Sequence, residues 1–184
     1  MFLTVFVLVS NNICSAAMPR SEMYLGGLTT KNSTYGEMVK IYGEPTSVDS
    51  NRQYDYACNY DNSVRLIFHG YSAGQNSGKI IEIRINENNG WKNPAGIGVG
   101  SNVAKLLDLY GQPDYTESSA IKSVYSYCAD MSYIKVKNSM EPGVEMVFIC
   151  NKNSGKILEI ILTSASWVME YFRAHPKWLK GLAE

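Results

Sequence analysis

The side chains with the widest chemical repertoire in this chain are two histidines, His69 and His175, and four cysteines, Cys14, Cys58, Cys128 and Cys150. His69 ends an alternating stretch that puts Arg65, Ile67 and His69 on one side of a strand, and a second such stretch, K-I-I-E-I-R-I, puts Glu82 and Arg84 on one side of another. A histidine among carboxylates and guanidinium groups can do acid-base work or hold a small polar ligand. Nucleophilic or metal chemistry needs a further pattern, and the sequence has no Ser/His/Asp order, nucleophile elbow, H-E-x-x-H or Cys/His zinc spacing. Glu82 and Glu159 fall at matching places in two similar stretches, which duplication already explains. The expectation is a non-catalytic chain with no metal and no cofactor; the alternative is a small-ligand binder or hydrolase using the polar face around His69.

Seventeen basic residues balance seventeen acidic ones, so the chain has no electrostatic footprint for nucleic acid or an anionic membrane. Residues 1–17 carry an apolar run from Phe2 to Val9, then Ser15 and Ala17 at the small-residue positions of a cleavage site, and read as an export signal. Ile13 before Cys14 does not make a lipoprotein signal. Export to the periplasm or the medium would leave Cys58, Cys128 and Cys150 in an oxidising compartment, where a Cys128–Cys150 bridge, a Cys58 link and three half-buried thiols are all open. No transmembrane segment is expected after signal removal.

The elements that must position these side chains come in two copies. K-I-Y-G-E-P at residues 40–45 returns as D-L-Y-G-Q-P at 108–113, Y-D-Y at 54–56 as Y-S-Y at 125–127, V-R-L-I-F at 64–68 as V-E-M-V-F at 144–148, and S-G-K-I-I-E-I at 77–83 as S-G-K-I-L-E-I at 154–160. Thr34 and Asn102 are placed to cap helices whose apolar stripes are Tyr35, Met38, Val39, Tyr42 and Val103, Leu106, Leu107, Tyr110. Gly43 and Gly111 stop them, with Pro45 and Pro113 just beyond. Three strands are expected after each helix, with Tyr54, Tyr56 and Cys58, then Val64, Leu66 and Phe68, then Ile81, Ile83 and Ile85 under the first, and Tyr125, Tyr127, Val144, Met146, Phe148, Leu158, Ile160 and Leu162 under the second. Residues 18–23 read as a loose leader, 86–95 as a linker, and 166–184 as a closing helix striped by Trp167, Val168, Tyr171 and Phe172.

The sheet side away from the helices carries Arg65, Ile67, His69, Glu82 and Arg84 in the first copy and Glu145, Val147, Ile149, Glu159 and Ile161 in the second. A sheet face left in water should be mostly polar, so the apolar residues of the second set mark either a partner site or a surface covered by the rest of the chain.

The Y-G-x-P helix end, the Y-x-Y strand, the strand ending in phenylalanine and G-K-I-x-x-I together resemble the SmpA/OmlA (BamE-like) outer-membrane-assembly fold. The tandem arrangement is similar to beta-lactamase inhibitor proteins. The resemblance implies an α+β fold of two tandem helix-plus-antiparallel-meander repeats, at 24–90 and 95–165, whose sheets can join, followed by a C-terminal helix. It implies a protein partner in the envelope or outside the cell, held inhibitor-like on the sheet face, or an envelope-assembly scaffold. The family's motifs are structural, and no binding residue carries over individually.

Overall fold

A computed structural model of the chain describes residues 18–52, 55–69, 78–129, 132–134, 139–141 and 143–164. Helix α1 (Tyr35–Tyr42) starts at a capping box: the Thr34 hydroxyl accepts from the Glu37 N–H at 3.2 Å while the Glu37 carboxylate accepts from the Thr34 N–H at 2.8 Å. Helix α2 (Val103–Tyr110) is capped by Asn102, whose side chain accepts from the Ala104 N–H at 2.8 Å. Gly43 (φ 78°) and Gly111 (φ 67°) end the helices in a conformation that L side chains avoid, each donating back to a helix carbonyl at 2.8 Å.

The strands are β1 (Ser47–Arg52), β2 (Asp55–Tyr60), β3 (Val64–His69), β4 (Lys79–Ile85), β5 (Tyr115–Ser118), β6 (Lys122–Ala129), β7 (Ser132–Ile134), β8 (Ser139–Glu141), β9 (Val144–Asn151) and β10 (Lys156–Thr163). Strands β7 and β8 form a separate hairpin; the others make one antiparallel sheet in the order β1-β2-β3-β4-β10-β9-β6-β5. The two halves meet at the middle, where β4 pairs with β10. One face of the sheet packs on the helices: Phe68 and Phe148 are fully buried, with the Tyr35 ring 5.8 Å from Phe68 and Tyr127 6.0 Å from Phe148.

The closest sequence match, S-G-K-I, has a backbone task. The first helical N–H groups have no partner inside a helix. Tyr35 N–H donates to the Gly78 carbonyl at 3.0 Å, and Val103 N–H to the Gly155 carbonyl at 2.9 Å. Ile80 and Ile157 donate in return to Ser33 and Ser101 at 3.0 Å each. Each helix start is thereby sewn to the start of a central strand.

Several expectations are corrected. Among the described residues the arrangement is a single eight-stranded antiparallel sheet with two α-helices, in place of two tandem inhibitor-like or BamE-like repeats with three-stranded meanders. The polar edge strands β1 and β5 supply the extra strand of each half. A bulge at Ile81 turns Ile80, not Ile81, into the core beside Ile83 and Ile85, and a bulge at Leu158 does the same for Ile157. Residues 18–23 are no loose leader, because Met18 and Met23 are buried with Leu25 and Leu28. The expected linker is also built in: Trp91 stacks on Tyr42 at 4.2 Å, and buried Asn93 donates to the Tyr110 hydroxyl at 2.8 Å. The expected signal (1–17) and C-terminal helix (166–184) lie outside the described residues.

Candidate functional site: a polar cleft on the sheet face away from the helices

Register places the expected surface residues on one face. One rung crosses Ser47, Asn59, Arg65, Arg84, Ile161, Val147, Ser126 and Tyr115 in eight successive strands; the next crosses Asp49, Ala57, Ile67, Glu82, Thr163, Glu145 and Cys128. The two halves of this face differ in chemistry and in access. In the second half Val147, Ile149 and Ile161 are each 1% exposed, and Glu145 and Ser126 are buried with a short hydrogen bond from the Ser126 hydroxyl to the Glu145 carboxylate. A partner cannot touch these residues without displacing what buries them, so of the two readings of Val147, Ile149 and Ile161 their burial favours the covered surface. His69 is placed by its backbone, at the end of β3 opposite Asp55 and Lys79.

In the first half, a cleft of about 360 Å³ opens over Asp49, Asn59, Asp61, Arg65 and Arg84. Arg65 and Arg84 are directly opposite on β3 and β4. Like charges so placed repel by several tenths of a kcal/mol to about 1 kcal/mol, and each is drawn aside by its own acid. Arg65 Nη1 lies 3.2 Å from the Asp49 carboxylate and 3.3 Å from the Asn59 side-chain oxygen Oδ1. The Asn59 amide donates to Asp49 at 2.9 Å and to the Ser47 hydroxyl at 3.1 Å. Arg84 lies on the other side, with Nε 3.3 Å from Glu82 and Nη1 3.4 Å from Glu159 across the β4–β10 seam.

Glu82 is 1% exposed, and its second carboxylate oxygen has no hydrogen-bond partner among the described residues. Burial pushes the Glu82 carboxyl above its ordinary range and outweighs Arg84, which pulls it down. Burial likewise raises Glu159, against Arg84 and Lys122. Neither acid lines the cleft; both serve to hold Arg84.

The site therefore unites Arg65 and Arg84, backed by Glu82 and Glu159, and among the described side chains leaves out Ile67, Glu145, Val147, Ile149 and Ile161 as lining groups, while the His69 side chain lies outside the description. The sequence reading missed Ser47, Asp49 and Asn59. The signal was present in S-V-D, whose alternation puts Ser47 and Asp49 on one side just past the Pro45 turn, but a strand with one apolar residue in six reads as loop.

The cysteines form no bridge among Cys58, Cys128 and Cys150. Cys128 pairs with Glu145, five residues before Cys150 on β9 and on the opposite face, roughly 17 Å along the strand at about 3.3 Å per residue, far beyond disulfide reach. Cys58 lies on β2, four strands from β9. Burial pushes all three thiols up to about 12, so none is a ready nucleophile.

Over its described residues the molecule is thus an α+β protein, two α-helices on one eight-stranded antiparallel sheet, with a polar cleft on the sheet's other face. No family model matches the chain, and no curated protein does. Among solved structures it is similar to an extracellular protein containing a SCP domain from Bacillus anthracis, with 8% identity, TM-score 0.47, and 74% of this chain and 44% of that one covered. A cysteine-rich secretory protein from Staphylococcus aureus is similar at 11% identity and TM-score 0.43, with 72% and 42% covered. The chain thus spans less than half the length of either. These are not the beta-lactamase-inhibitor or BamE-like proteins to which the motifs pointed, and that resemblance is withdrawn. Its motifs are accounted for by helix ends and strand starts: Y-G-x-P by the glycine caps, G-K-I by the sewn helix N-termini.

Proposed function

We propose that this chain is an exported, non-catalytic binding protein that recognises its ligand through the cleft over Arg65 and Arg84. The observation that carries this reading is the pair of arginines directly opposite each other, one-third exposed at 37% and 33%, on a face whose other half is buried. Two guanidinium groups forced together and splayed by three acids, Asp49, Glu82 and Glu159, form a rigid set of donors, costly to maintain as mere surface. Export is supported by the apolar run and small residues of positions 1–17, and the non-catalytic reading by thiols pushed out of the reactive range.

Affinity capture from the extracellular and envelope fractions tests the proposal, comparing the wild type with Arg65→Ala and with Ile41→Ser, a change on the exposed outer side of α1. Whatever binds should be recovered chemically unchanged, be retained by Ile41→Ser and be lost with Arg65→Ala. Retention by Arg65→Ala, or release of an altered product, would refute it.

A further inference from the structure

We propose that the cleft takes an uncharged, hydroxyl-rich ligand, a carbohydrate, and not an anion, a cation or an apolar molecule. The inference rests on the cleft being the recognition site and follows from its lining. Small-molecule pockets are mostly apolar, with a few polar groups fixing orientation. This one is the reverse: among the described residues Val64 is its sole apolar lining residue. An apolar ligand would gain little area there and would strip water from amides and charges it could not replace.

Charge decides between the polar classes. Among the described residues, two guanidinium groups, Arg65 and Arg84, and two carboxylates, Asp49 and Asp61, line the cleft and cancel. A ligand carboxylate would have to compete with Asp49 for Arg65 and with Glu82 and Glu159 for Arg84, all within 3.4 Å of their arginines. A cation would meet the two arginines instead. What remains is short-range hydrogen bonding, and the cleft offers both senses of it. Nη2 of each arginine has no partner among the described residues, and Asp61, Asn62 and Asn86 present exposed carboxylate and amide groups. A hydroxyl accepts from a guanidinium or amide N–H while donating to a carboxylate or amide oxygen, so adjacent hydroxyls on a sugar ring match such a donor and acceptor set. The cleft, at about 360 Å³, is within the size range of small-ligand pockets.

The test is an array carrying neutral glycans, acidic glycans, and acidic and basic peptides, probed with the purified protein, followed by titration at low and high salt. Neutral glycans should bind, with affinity changing less than about twofold between 0.05 and 0.5 M salt, because no net charge is screened. Arg65→Ala and Asn86→Ala should each weaken binding about tenfold or more, the loss of one charge-assisted or neutral hydrogen bond in each case, and Ile41→Ser should not. Binding only of charged ligands, steeply salt-dependent and lost in Arg65→Ala, would overturn the carbohydrate inference while leaving the cleft as the site. Binding unaffected by Arg65→Ala and Asn86→Ala, or no binding anywhere on the array, would overturn it as well, the former taking the cleft reading with it.

Discussion

Glu82 is the side chain most out of keeping with its surroundings: a carboxyl buried in a sheet face, one oxygen on Arg84 and the other unsatisfied among the described residues. Burial raises its carboxyl above the ordinary range, so between the unfolded value and the raised folded one the folded protein holds a proton that the unfolded chain has released. Stability from this group is fully present below the unfolded carboxyl range and is lost as pH rises through the raised folded value. Glu159, raised for the same reason, acts in the same direction. Glu82→Gln should match the wild type in acid and gain on it as pH approaches neutrality, read as the difference in Tm across a pH series; a constant difference would show that the buried proton is not there. Val147 tests the other half of the face. At 1% exposure, Val147→Asp buries a charge without a partner and should cost about 3 kcal/mol or more, seen as a lowered denaturation midpoint; a folded, stable variant would mean that the face is open after all. Arg65→Ala, by contrast, removes a half-exposed ion pair and should change stability by no more than about 0.5 kcal/mol.

At the level of elements, the sequence was legible where a residue's role is local. Thr34, Asn102, Gly43 and Gly111 could be assigned because capping and a left-handed stop depend on neighbours in the chain. Register was not legible, because it depends on bulges and turns that alternation does not reveal. The tyrosine pairs 54–56 and 125–127 match in sequence, and Tyr54 lies outside the described residues. Strand pairing instead brings Tyr60 into correspondence with Tyr127, Tyr60 sharing a rung with Val64 and Ile85 as Tyr127 shares one with Met146 and Leu162. Chemistry agrees: the Tyr60 hydroxyl donates to the Gly43 carbonyl at 2.7 Å and the Tyr127 hydroxyl to the Gly111 carbonyl at 2.9 Å, each tying a strand to the end of its helix. Tyr127→Phe leaves that carbonyl unpaired and should cost about 1 kcal/mol with little change in packing, measurable by urea denaturation; Tyr60→Phe, at a more exposed site, should cost less. The same register sets Arg65 and Arg84 against Val147 and Ile161, and this explains why one half of the face is polar and the other oily. The composition of that difference was visible in the sequence. Which half was buried was not, since alternation reports a side of a strand and never what lies over it.

For the whole molecule, the seam between β4 and β10 makes the halves one structure. Ile83, Ile85, Ile160 and Leu162 are buried there in register, Arg84 crosses to Glu159, and Ser164 donates to the Ile81 carbonyl at 2.9 Å. Leu162→Ala should cost about 2–5 kcal/mol and lower amide-exchange protection equally in β3 and β9, whereas independent halves would lose it in β9 alone. Such a frame can hold a small set of charged side chains rigid on one side while the helices pack the other. The central claim is that recognition belongs to the first half of that side. Amide hydrogen exchange with and without the captured ligand tests it most directly. Added protection should be confined to β2, β3, β4 and the 61–63 and 86 turns around Arg65 and Arg84; protection appearing instead on the outer helix surfaces or along β6 and β9 would contradict the account.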